Sequence, residues 1–488
     1  MGQITRVKAS FVIGFEAGDH CIWPQGELVH EEERIIFVGR GYQGRVDVEV
    51  DAGHAILSPG FIDMNALADI DHALFDSWPA RDRRLGLVWS ETYLKQHGSV
   101  FTEEEEMFRR QYALSQLVRN GITTVMPIAA ETYKPWCEDY EDMAQLAQAV
   151  RQLGLRAYLG PSYRALVPYT DGRVVKLFAD EAKGIEGLRQ AVTFAEDFED
   201  TANGLIRAAL LPARIETQTE RTLKMTRAAA DELDVPVRLH AAQGLGEMEI
   251  IYQRTGKRSI PYLDDIGFLK ERTFIPHAWT VPGHRHMPAE LGSGDDISRL
   301  AANGTSVVYC PIPTAHYGGG LDNFDAYRDK GVRVVMGTDS APPNMIHALD
   351  LAMAMTKTLT ADRSSAQAED LYRAATLEPA RALGRDDLGR LAVDAQADYF
   401  IMDLDGTHVG PHADPIRTLV MNGDGRDISR VVVAGETIVQ GGEITTVDTS
   451  DYQSRAQEFM EKYIASFTES DFKRRPTNEL FPSSFPVK

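Results

Sequence analysis

The feature that most constrains the fold is an eightfold alternation of strand and helix patterns between residues 57 and 389. The strand candidates are short, apolar, β-branched runs that lead into loops: AILSPGFIDMN, GITTVMPIAA, LRAYLGPSY, LIRAALLPAR, VPVRLHAAQ, RTFIPHAWTV, GTSVVYCPIP and GVRVVMGTDS. Helical patterns separate them, such as EEEEMFRRQYALSQLVRN, which carries acidic residues in its first turn and ends at Asn120-Gly121. Eight such units predict an α/β protein with a (β/α)8 TIM-type barrel. A doubly wound open sheet is the alternative, but no GxGxxG or P-loop motif follows the first strand.

The two ends of the chain have a different sequence pattern. In residues 1–56 and 390–448, apolar and polar residues alternate over short runs, which predicts β-strands. We expect these two pieces to form one small β-sandwich domain, with residues 57–389 as the barrel. Residues 449–488 include DYQSRAQEFMEKYIASF, whose apolar spacing predicts a helical extension. That extension is expected to pack on the barrel or on another subunit.

The composition is that of an ordinary soluble globular protein, long enough for a large barrel and a smaller accessory domain. The 488 residues include 51 Lys+Arg and 72 Asp+Glu, a formal net charge of −21, which disfavours nucleic acid and anionic membranes as partners. The N-terminus has no apolar signal segment, and no run approaches the ~18 apolar residues of a membrane helix. Three scattered cysteines are too few for a disulfide framework. We therefore expect a cytoplasmic enzyme or binding protein.

Three metal-binding residue types follow three of the predicted barrel strands. His240 follows the fifth strand, His277 the sixth and Asp339 the eighth. In a barrel, the carboxyl ends of the strands meet at one mouth, so these side chains are expected to converge there. Two imidazoles and a carboxylate suit one divalent transition metal with open positions, zinc foremost, and iron, cobalt or manganese otherwise. Taken singly, a histidine after an apolar strand is more often a satisfied core or rim residue than a ligand, and Asp339 is as typical of an Asx turn or a helix N-cap; taken together, the three favour a metal site.

The motifs PGFIDMN, LVRNGITTV, LHAAQ, IPHAW and MGTDSAPPN, with the closing GRLAVDAQADYFIMDLD, resemble the amidohydrolase superfamily over nearly the whole chain. The branch they resemble most contains the triazine, phenylurea and molinate hydrolases. The resemblance implies that His240 and Asp339 bind the metal and that Asp339 also orients or deprotonates water. It implies that His277 polarises the substrate or serves as a further ligand. It also implies a homo-oligomer.

The departures from that family pattern concern the metal site and the proton carrier. The family supplies two histidines after the first strand, HxH, where this chain has Asn65 and Leu67. Leucine cannot coordinate a metal, whereas Asn65 can offer its amide oxygen as a weaker ligand. Deaminases of the branch have a glutamate three residues after the histidine of the fifth strand, where this chain has Gln243. Glutamine cannot take up a proton at neutral pH, although it can orient water or substrate.

Several residues in the predicted mouth loops are candidates for substrate contact. An apolar pocket is expected to include His316, Trp279, Trp78 and Trp89. His72, Asp69, Asp71 and Asp76 either replace the missing ligands or belong to a solvated loop. His284 and His286 are expected to be surface residues.

The residues and the resemblance together predict hydrolysis of a C–N bond in a small, neutral, fairly apolar amide, urea, carbamate or thiocarbamate by metal-activated water. An aminohydrolase, deaminating or dechlorinating a substituted heterocycle, is the alternative, and Gln243 counts against it. The alternative from another class is a metal-poor relative that binds a ligand without catalysis. The loss of HxH favours that reading, and the joint presence of His240, His277 and Asp339 opposes it.

Overall fold

The computed structural model describes residues 2–69, 89–96, 100–130, 134–170 and 174–487 of a mixed α/β protein. The strands, in chain order, are β1 Ile4–Glu16, β2 Asp19–Glu31, β3 Arg34–Gly39, β4 Val48–Asp51, β5 Ala55–Pro59, β6 Phe61–Leu67, β7 Trp89–Ser90, β8 Ile122–Ile128, β9 Arg156–Leu159, β10 Ser162–Tyr163, β11 Leu166–Thr170, β12 Val175–Ala179, β13 Ile206–Ala208, β14 Leu211–Pro212, β15 Val237–Arg238, β16 Thr273–Pro276, β17 Ser306–Tyr309, β18 Val334–Met336, β19 Tyr399–Asp403, β20 Ile428–Val433, β21 Glu436–Gln440 and β22 Glu443–Ile444.

The helices between and after these strands are Glu91–Gln96, Glu103–Arg119, Tyr140–Leu153, Glu181–Phe198, Glu220–Leu233, Leu245–Thr255, Ser259–Asp265, Asp296–Ala302, Pro311–His316, Phe324–Asp329, Met345–Thr360, Ala368–Ala375, Leu377–Ala382, Pro415–Asn422, Tyr452–Ser470 and Thr477–Leu480. The predicted helix after the first barrel strand begins at a capping box of Thr102 and Glu105 and ends at Asn120, as its sequence indicates. Among the helices of the described residues, none has both the length and the low polarity needed to cross a membrane.

The eight predicted barrel strands form two parallel sheets, ordered β13-β9-β8-β6 and β15-β16-β17-β18. A parallel bridge between Leu210 and Val237 joins the sheets on one side. On the other side, the backbone N–H of Asp339 donates to the carbonyl oxygen of Asn65 at 2.7 Å. Side chains from both sheets meet in one buried cluster, which includes Ile62, Met64, Met126, Tyr158, Phe274, Val308, Cys310 and Val335. The two sheets therefore share one buried core.

The two ends of the chain form one hydrogen-bonded sheet, ordered β22-β21-β20-β19-β5-β1-β2-β3, with β4 beside β1. β5 pairs with β1 on one edge and with β19 on the other, which unites the N-terminal and C-terminal strands in one hydrogen-bonded sheet. That these strands form a β-sandwich stays a prediction. A further small sheet, ordered β12-β11-β7, was not predicted.

Gly60 marks the change from the terminal sheet to the first parallel strand. The sequence predicts one continuous strand here, but the structure divides it into β5 and β6. A Cβ atom at Gly60 would lie 2.0 Å from Oγ1 of Thr123, so only glycine permits this close approach. The change of sheet directs Asn65 and Leu67 to the ends of the parallel strands.

The C-terminal helix Tyr452–Ser470 packs on the chain's own helix Glu103–Arg119. The contact is aromatic: Phe459 stacks on Phe101 with ring centroids 4.2 Å apart, and Tyr452 meets Phe108 edge-on. These residues form a buried cluster of their own. Of the two expectations for this segment, packing within the chain is the one observed.

Candidate metal centre at the ends of the parallel strands

His240 and His277 lie side by side at the ends of neighbouring strands. The strands β15 and β16 are paired in parallel, and a bridge between Ala241 and His277 continues that pairing beyond them. The two imidazole rings are 5.6 Å apart between centroids and are inclined by 37°. Both residues are buried, each with 4% of its surface exposed. The fifth and sixth strands thus bring together the two histidines predicted from the sequence.

Hydrogen bonding selects the tautomer of His240. Its Nδ1 lies 3.0 Å from the carbonyl oxygen of Ala213, which can only accept, so Nδ1 carries the proton and donates. The lone pair is then on Nε2. A ligating histidine usually has this arrangement, in which the second ring nitrogen is held by a carbonyl.

Asn65 and Asp339 meet at the junction of the first and eighth strands. Nδ2 of Asn65 donates to Oδ1 of Asp339 at 3.1 Å and approaches Sγ of Cys310 at 3.6 Å. Oδ1 of Asn65 is buried and has no hydrogen-bond partner among the described residues. An orphaned buried oxygen is costly, which is the situation expected of a ligand atom.

The buried carboxylate of Asp63 connects the strand ends that meet at this junction. Its carboxylate accepts hydrogen bonds from the hydroxyl and the backbone N–H of Thr338 and from the backbone N–H of Asn65. Burial raises the pKa of Asp63 to about 6, while the Thr338 hydroxyl acts in the opposite direction. One carboxylate therefore ties together the strand ends that carry Asn65 and Asp339.

The backbone is left-handed at several of these strand ends. The φ values are +69° at His277, +50° at Asp339 and +53° at Ala242, all at non-glycine residues. Such conformations cost free energy and persist where the surroundings impose them, which is common at functional sites.

Gln243 lies beside an arginine that sequence reasoning missed. Nη1 of Arg214 donates to Oε1 of Gln243 at 2.6 Å, and the backbone of Arg214 bridges that of His240. The backbone N–H of Gln243 donates to Oε2 of Glu247 at 2.7 Å. Burial, and then the carboxylate of Glu216, raise the pKa of Glu247 to about 7. The only signal for Arg214 in the sequence is its place after the fourth strand.

The substrate-pocket candidates are more dispersed than the ligand candidates. Trp279 is 8% exposed and packs on His284, with ring centroids 4.8 Å apart. His316 is exposed at the end of the helix Pro311–His316. Trp89 is buried in a separate cluster with Tyr93 and Val167. Trp78 lies outside the described residues, as do His72, Asp71 and Asp76.

The structure contradicts two further predictions, which concern the placement of His284 and Asp69. His284 was expected at the surface but is 7% exposed, with Nε2 2.9 Å from the carbonyl oxygen of Gly320. This contact ties the loop after the sixth strand to the loop after the seventh. Asp69 is buried and accepts a hydrogen bond from Nη1 of Arg109 at 2.9 Å, so it is a structural ion pair.

The donor set fits a divalent ion only if an amide or another unusual ligand takes part. Within the described ranges, no group of three or more His, Cys, Asp or Glu side chains has the geometry to hold a metal ion. Leu67 is buried at the second family position and offers no donor atom. The remaining donors are His240 Nε2, His277, Asp339 and the orphaned Oδ1 of Asn65. Their chemistry suits a transition metal that is held more weakly than in a full HxH site.

The fold and the site together define a class of protein. The amidohydrolase family model matches residues 56–438, and the chain belongs to that family. The 5-methylthioadenosine/S-adenosylhomocysteine deaminase of Halobacterium salinarum is 28% identical over 427 residues, which span 86% of this chain and 90% of that protein. The enzyme of the same name from Natronomonas pharaonis is 27% identical over 440 residues, 88% of this chain and 91% of that one.

Solved structures agree on the fold. An adenosine deaminase from Xanthomonas campestris with bound zinc has a TM-score of 0.74 at 21% identity and covers 94% of this chain and 98% of its own. An atrazine chlorohydrolase from Arthrobacter aurescens complexed with zinc has a TM-score of 0.79 at 20% identity. The match covers 93% of this chain and 100% of that one. The family resemblance read from the motifs is confirmed, and so is the prediction of a metal-dependent hydrolase of C–N bonds.

Proposed function

We propose that the chain hydrolyses a C–N bond at an acyl carbon of a small, neutral, fairly apolar amide, urea, carbamate or thiocarbamate. The proposed site is the mouth of a (β/α)8 barrel that the two parallel sheets form together. The observation that carries this choice is Gln243, a side chain without a titratable proton, held by Arg214 next to the proposed ligand His240.

The proposed ligands are His240, His277, Asp339 and the amide oxygen of Asn65, for one divalent ion with zinc as the first candidate. When bound, such an ion activates water at neutral pH and polarises the carbonyl of the substrate. Asp339 is positioned by its hydrogen bond from Asn65 and takes up the proton of the attacking water. Where Asn65, and not His277, completes the ligand set, His277 donates a proton to the leaving nitrogen.

Gln243 has an orienting role in this proposal. Its Oε1 accepts from Arg214, so the amide nitrogen is the end that can donate to a substrate carbonyl. A glutamate at this position, as a carboxylate paired with Arg214, would take a proton from the attacking water and pass it to a ring nitrogen. Hydrolysis at an acyl carbon does not need that proton, because only the leaving amine must be protonated.

A second candidate is deamination of an amino-substituted heterocycle. The names of the relatives favour it, since those 28% and 27% identical over most of the chain are called deaminases. This reading requires another group to carry the proton that Gln243 cannot.

A matched panel of substrates distinguishes hydrolysis at an acyl carbon from deamination of a heterocycle. We expect purified protein to release an amine from aryl amides, phenylureas or thiocarbamates and to release little ammonia from adenosine-type substrates. Dialysis against a chelator should abolish the activity, and added zinc or cobalt should restore it. Activity that survives complete metal removal contradicts the proposal, and ammonia release from the heterocycles alone establishes the second candidate.

We further infer a cytoplasmic homo-oligomer that acts on a small molecule and binds neither nucleic acid nor membrane. The net charge of −21 and the three free thiols support this inference. Light scattering on the eluting protein measures the subunit number.

A further inference from the structure

Arg214 reaches the site because the fourth predicted barrel strand has one extra residue near its end. A parallel bridge pairs Leu210 with Val237, whereas the next bridge between the same two segments pairs Arg214 with His240. Four residue steps on one segment therefore match three on the other, which is the arrangement of a β-bulge. Paired residues of neighbouring strands point to the same face of a sheet, so the bulge directs Arg214 to the face that carries His240.

Gln243 is held both by its backbone and by its side chain. Its backbone N–H donates to Oε2 of Glu247 at 2.7 Å, and its Oε1 accepts from Nη1 of Arg214 at 2.6 Å. The preceding residue, Ala242, has a left-handed backbone with φ of +53°, and its carbonyl oxygen accepts from the N–H of Thr280 at 2.9 Å. These contacts fix the course of the chain at Gln243 and the direction of its side chain.

The contact with Arg214 also decides which end of the Gln243 amide is left for a ligand. A guanidinium group only donates hydrogen bonds, so the amide atom next to it has to be the oxygen. The other end is the Nε2 group, which has no hydrogen-bond partner in the part of the chain that the structure describes. Gln243 is only half-buried, so this group is accessible at the strand ends. It offers two N–H donors and no acceptor.

We propose that Arg214 is a positioning residue that makes Gln243 a hydrogen-bond donor and thereby selects substrates that present a carbonyl oxygen to it. The inference rests on the proposed hydrolysis at an acyl carbon. A carbonyl oxygen gains a hydrogen bond from Nε2, whereas an N–H group at the same point would face a second donor. A thiocarbonyl sulfur is a weak acceptor and gains little. Amides, ureas, carbamates and S-alkyl thiocarbamates all keep the carbonyl oxygen and are therefore favoured over thioureas and amidines.

The backbone at Arg214 is held without help from its guanidinium group. The short helical turn Ile215–Thr217 follows it, and the hydroxyl of Thr217 donates to the carbonyl oxygen of Arg214 at 2.7 Å. The backbone N–H of Ile215 donates to the carbonyl oxygen of His240 at 2.9 Å. A change of the Arg214 side chain therefore leaves these backbone contacts in place and frees the Gln243 amide to turn over.

A matched pair of substrates tests the positioning role. An N-aryl urea and its thiourea differ in one atom, so the ratio of their kcat/KM values reports the contact with the carbonyl group. We expect this ratio to fall about two- to tenfold in Arg214→Met, the value of one neutral hydrogen bond. Arg214→Lys should keep most of the ratio, because an ammonium group also only donates. Arg207→Met, in β13 and paired with Glu199, is the matched control and should leave the ratio unchanged.

A double-mutant cycle shows whether Arg214 acts through Gln243. We expect Gln243→Met to lower the ratio as Arg214→Met does, and the double variant to lower it no further. A ratio that Arg214→Met leaves unchanged, or losses that multiply in the double variant, overturns the positioning role and leaves the proposed hydrolysis standing. Zinc-loaded wild-type protein that hydrolyses no amide, urea or carbamate overturns both.

A complex of the wild-type protein decides the matter if Arg214→Met fails to fold. The protein is crystallised with an unreactive aryl urea. A carbonyl oxygen within about 3.2 Å of Nε2 of Gln243 supports the proposal. A carbonyl oxygen that lies elsewhere refutes it.

Discussion

Replacing Glu247 by glutamine should change how the stability of the protein depends on pH. The Glu247 side chain accepts hydrogen bonds from the backbone N–H of Gln243 and from the hydroxyl of Ser259. Burial and the neighbouring Glu216 raise its pKa from 4.5 to about 7. The folded protein thus holds a proton on Glu247 more tightly than the unfolded chain does.

The sign and size of the effect follow from this difference. Stability contributed by a protonated Glu247 is fully present below about pH 4.5 and is lost as the pH rises through about 7. At about 1.36 kcal/mol per pKa unit, the loss amounts to about 3 kcal/mol. Glutamine keeps both contacts, with its Oε1 accepting from the backbone N–H of Gln243 and its Nε2 donating to the Ser259 hydroxyl, and it does not ionise. The unfolding free energy of Glu247→Gln relative to wild type should therefore rise by about 3 kcal/mol between pH 4.5 and pH 8.

Thermal unfolding at a series of pH values measures this difference. A chain of this length has an unfolding entropy of about 1 kcal/mol/K, so Tm of the variant should gain roughly 3 °C on the wild type from pH 4.5 to pH 8. Glu249→Gln, an exposed change on the same helix, is the matched control and should show no such trend. A Tm difference that stays constant with pH, or that falls as the pH rises, refutes the reasoning.

Three further perturbations have clear expected outcomes. Gly60→Ala places a Cβ 2.0 Å from Thr123 and should lower the yield of folded protein or its Tm, measured by thermal unfolding of the soluble fraction. Asp398→Asn breaks a buried, bidentate ion pair with Arg156 and should lower the unfolding free energy by about 3–5 kcal/mol, which denaturant titration measures; an effect below about 1 kcal/mol contradicts the estimate. Gln243→Glu should reduce amide or urea hydrolysis, measured as kcat/KM, and a gain in ammonia release from adenosine-type substrates would instead favour the deaminase.

The sequence predicts those features of the fold and the site that depend on local residue patterns. Apolar runs followed by polar residues locate the strand ends, and therefore the positions of His240, His277 and Asp339. The helix Glu103–Arg119 was predictable because its caps and its acidic first turn lie within a few residues of it. The family resemblance adds the expected roles of these residues.

The sequence does not predict the features that depend on contacts between distant segments of the chain. Nothing in the local pattern indicates that Cys310 reaches Asn65, 245 residues away, or that Arg214 holds Gln243. The division of the first predicted strand at Gly60 likewise depends on the approach of Thr123 from the next strand. The predicted ligands are short side chains at strand ends, whereas Trp279 lies in a loop and Trp89 in a short strand of a separate sheet, and the local pattern predicts neither position.

Elemental analysis of freshly purified protein tests the central claim most directly, with wild type compared with His240→Ala, Asp339→Ala and the surface control His54→Ala. We expect about one transition metal per chain in the wild type and in His54→Ala, and its loss from the two site variants. Wild-type protein that stays free of metal after growth with added zinc, cobalt and manganese would contradict the account. Such a result would indicate a relative that binds its ligand without metal-dependent hydrolysis.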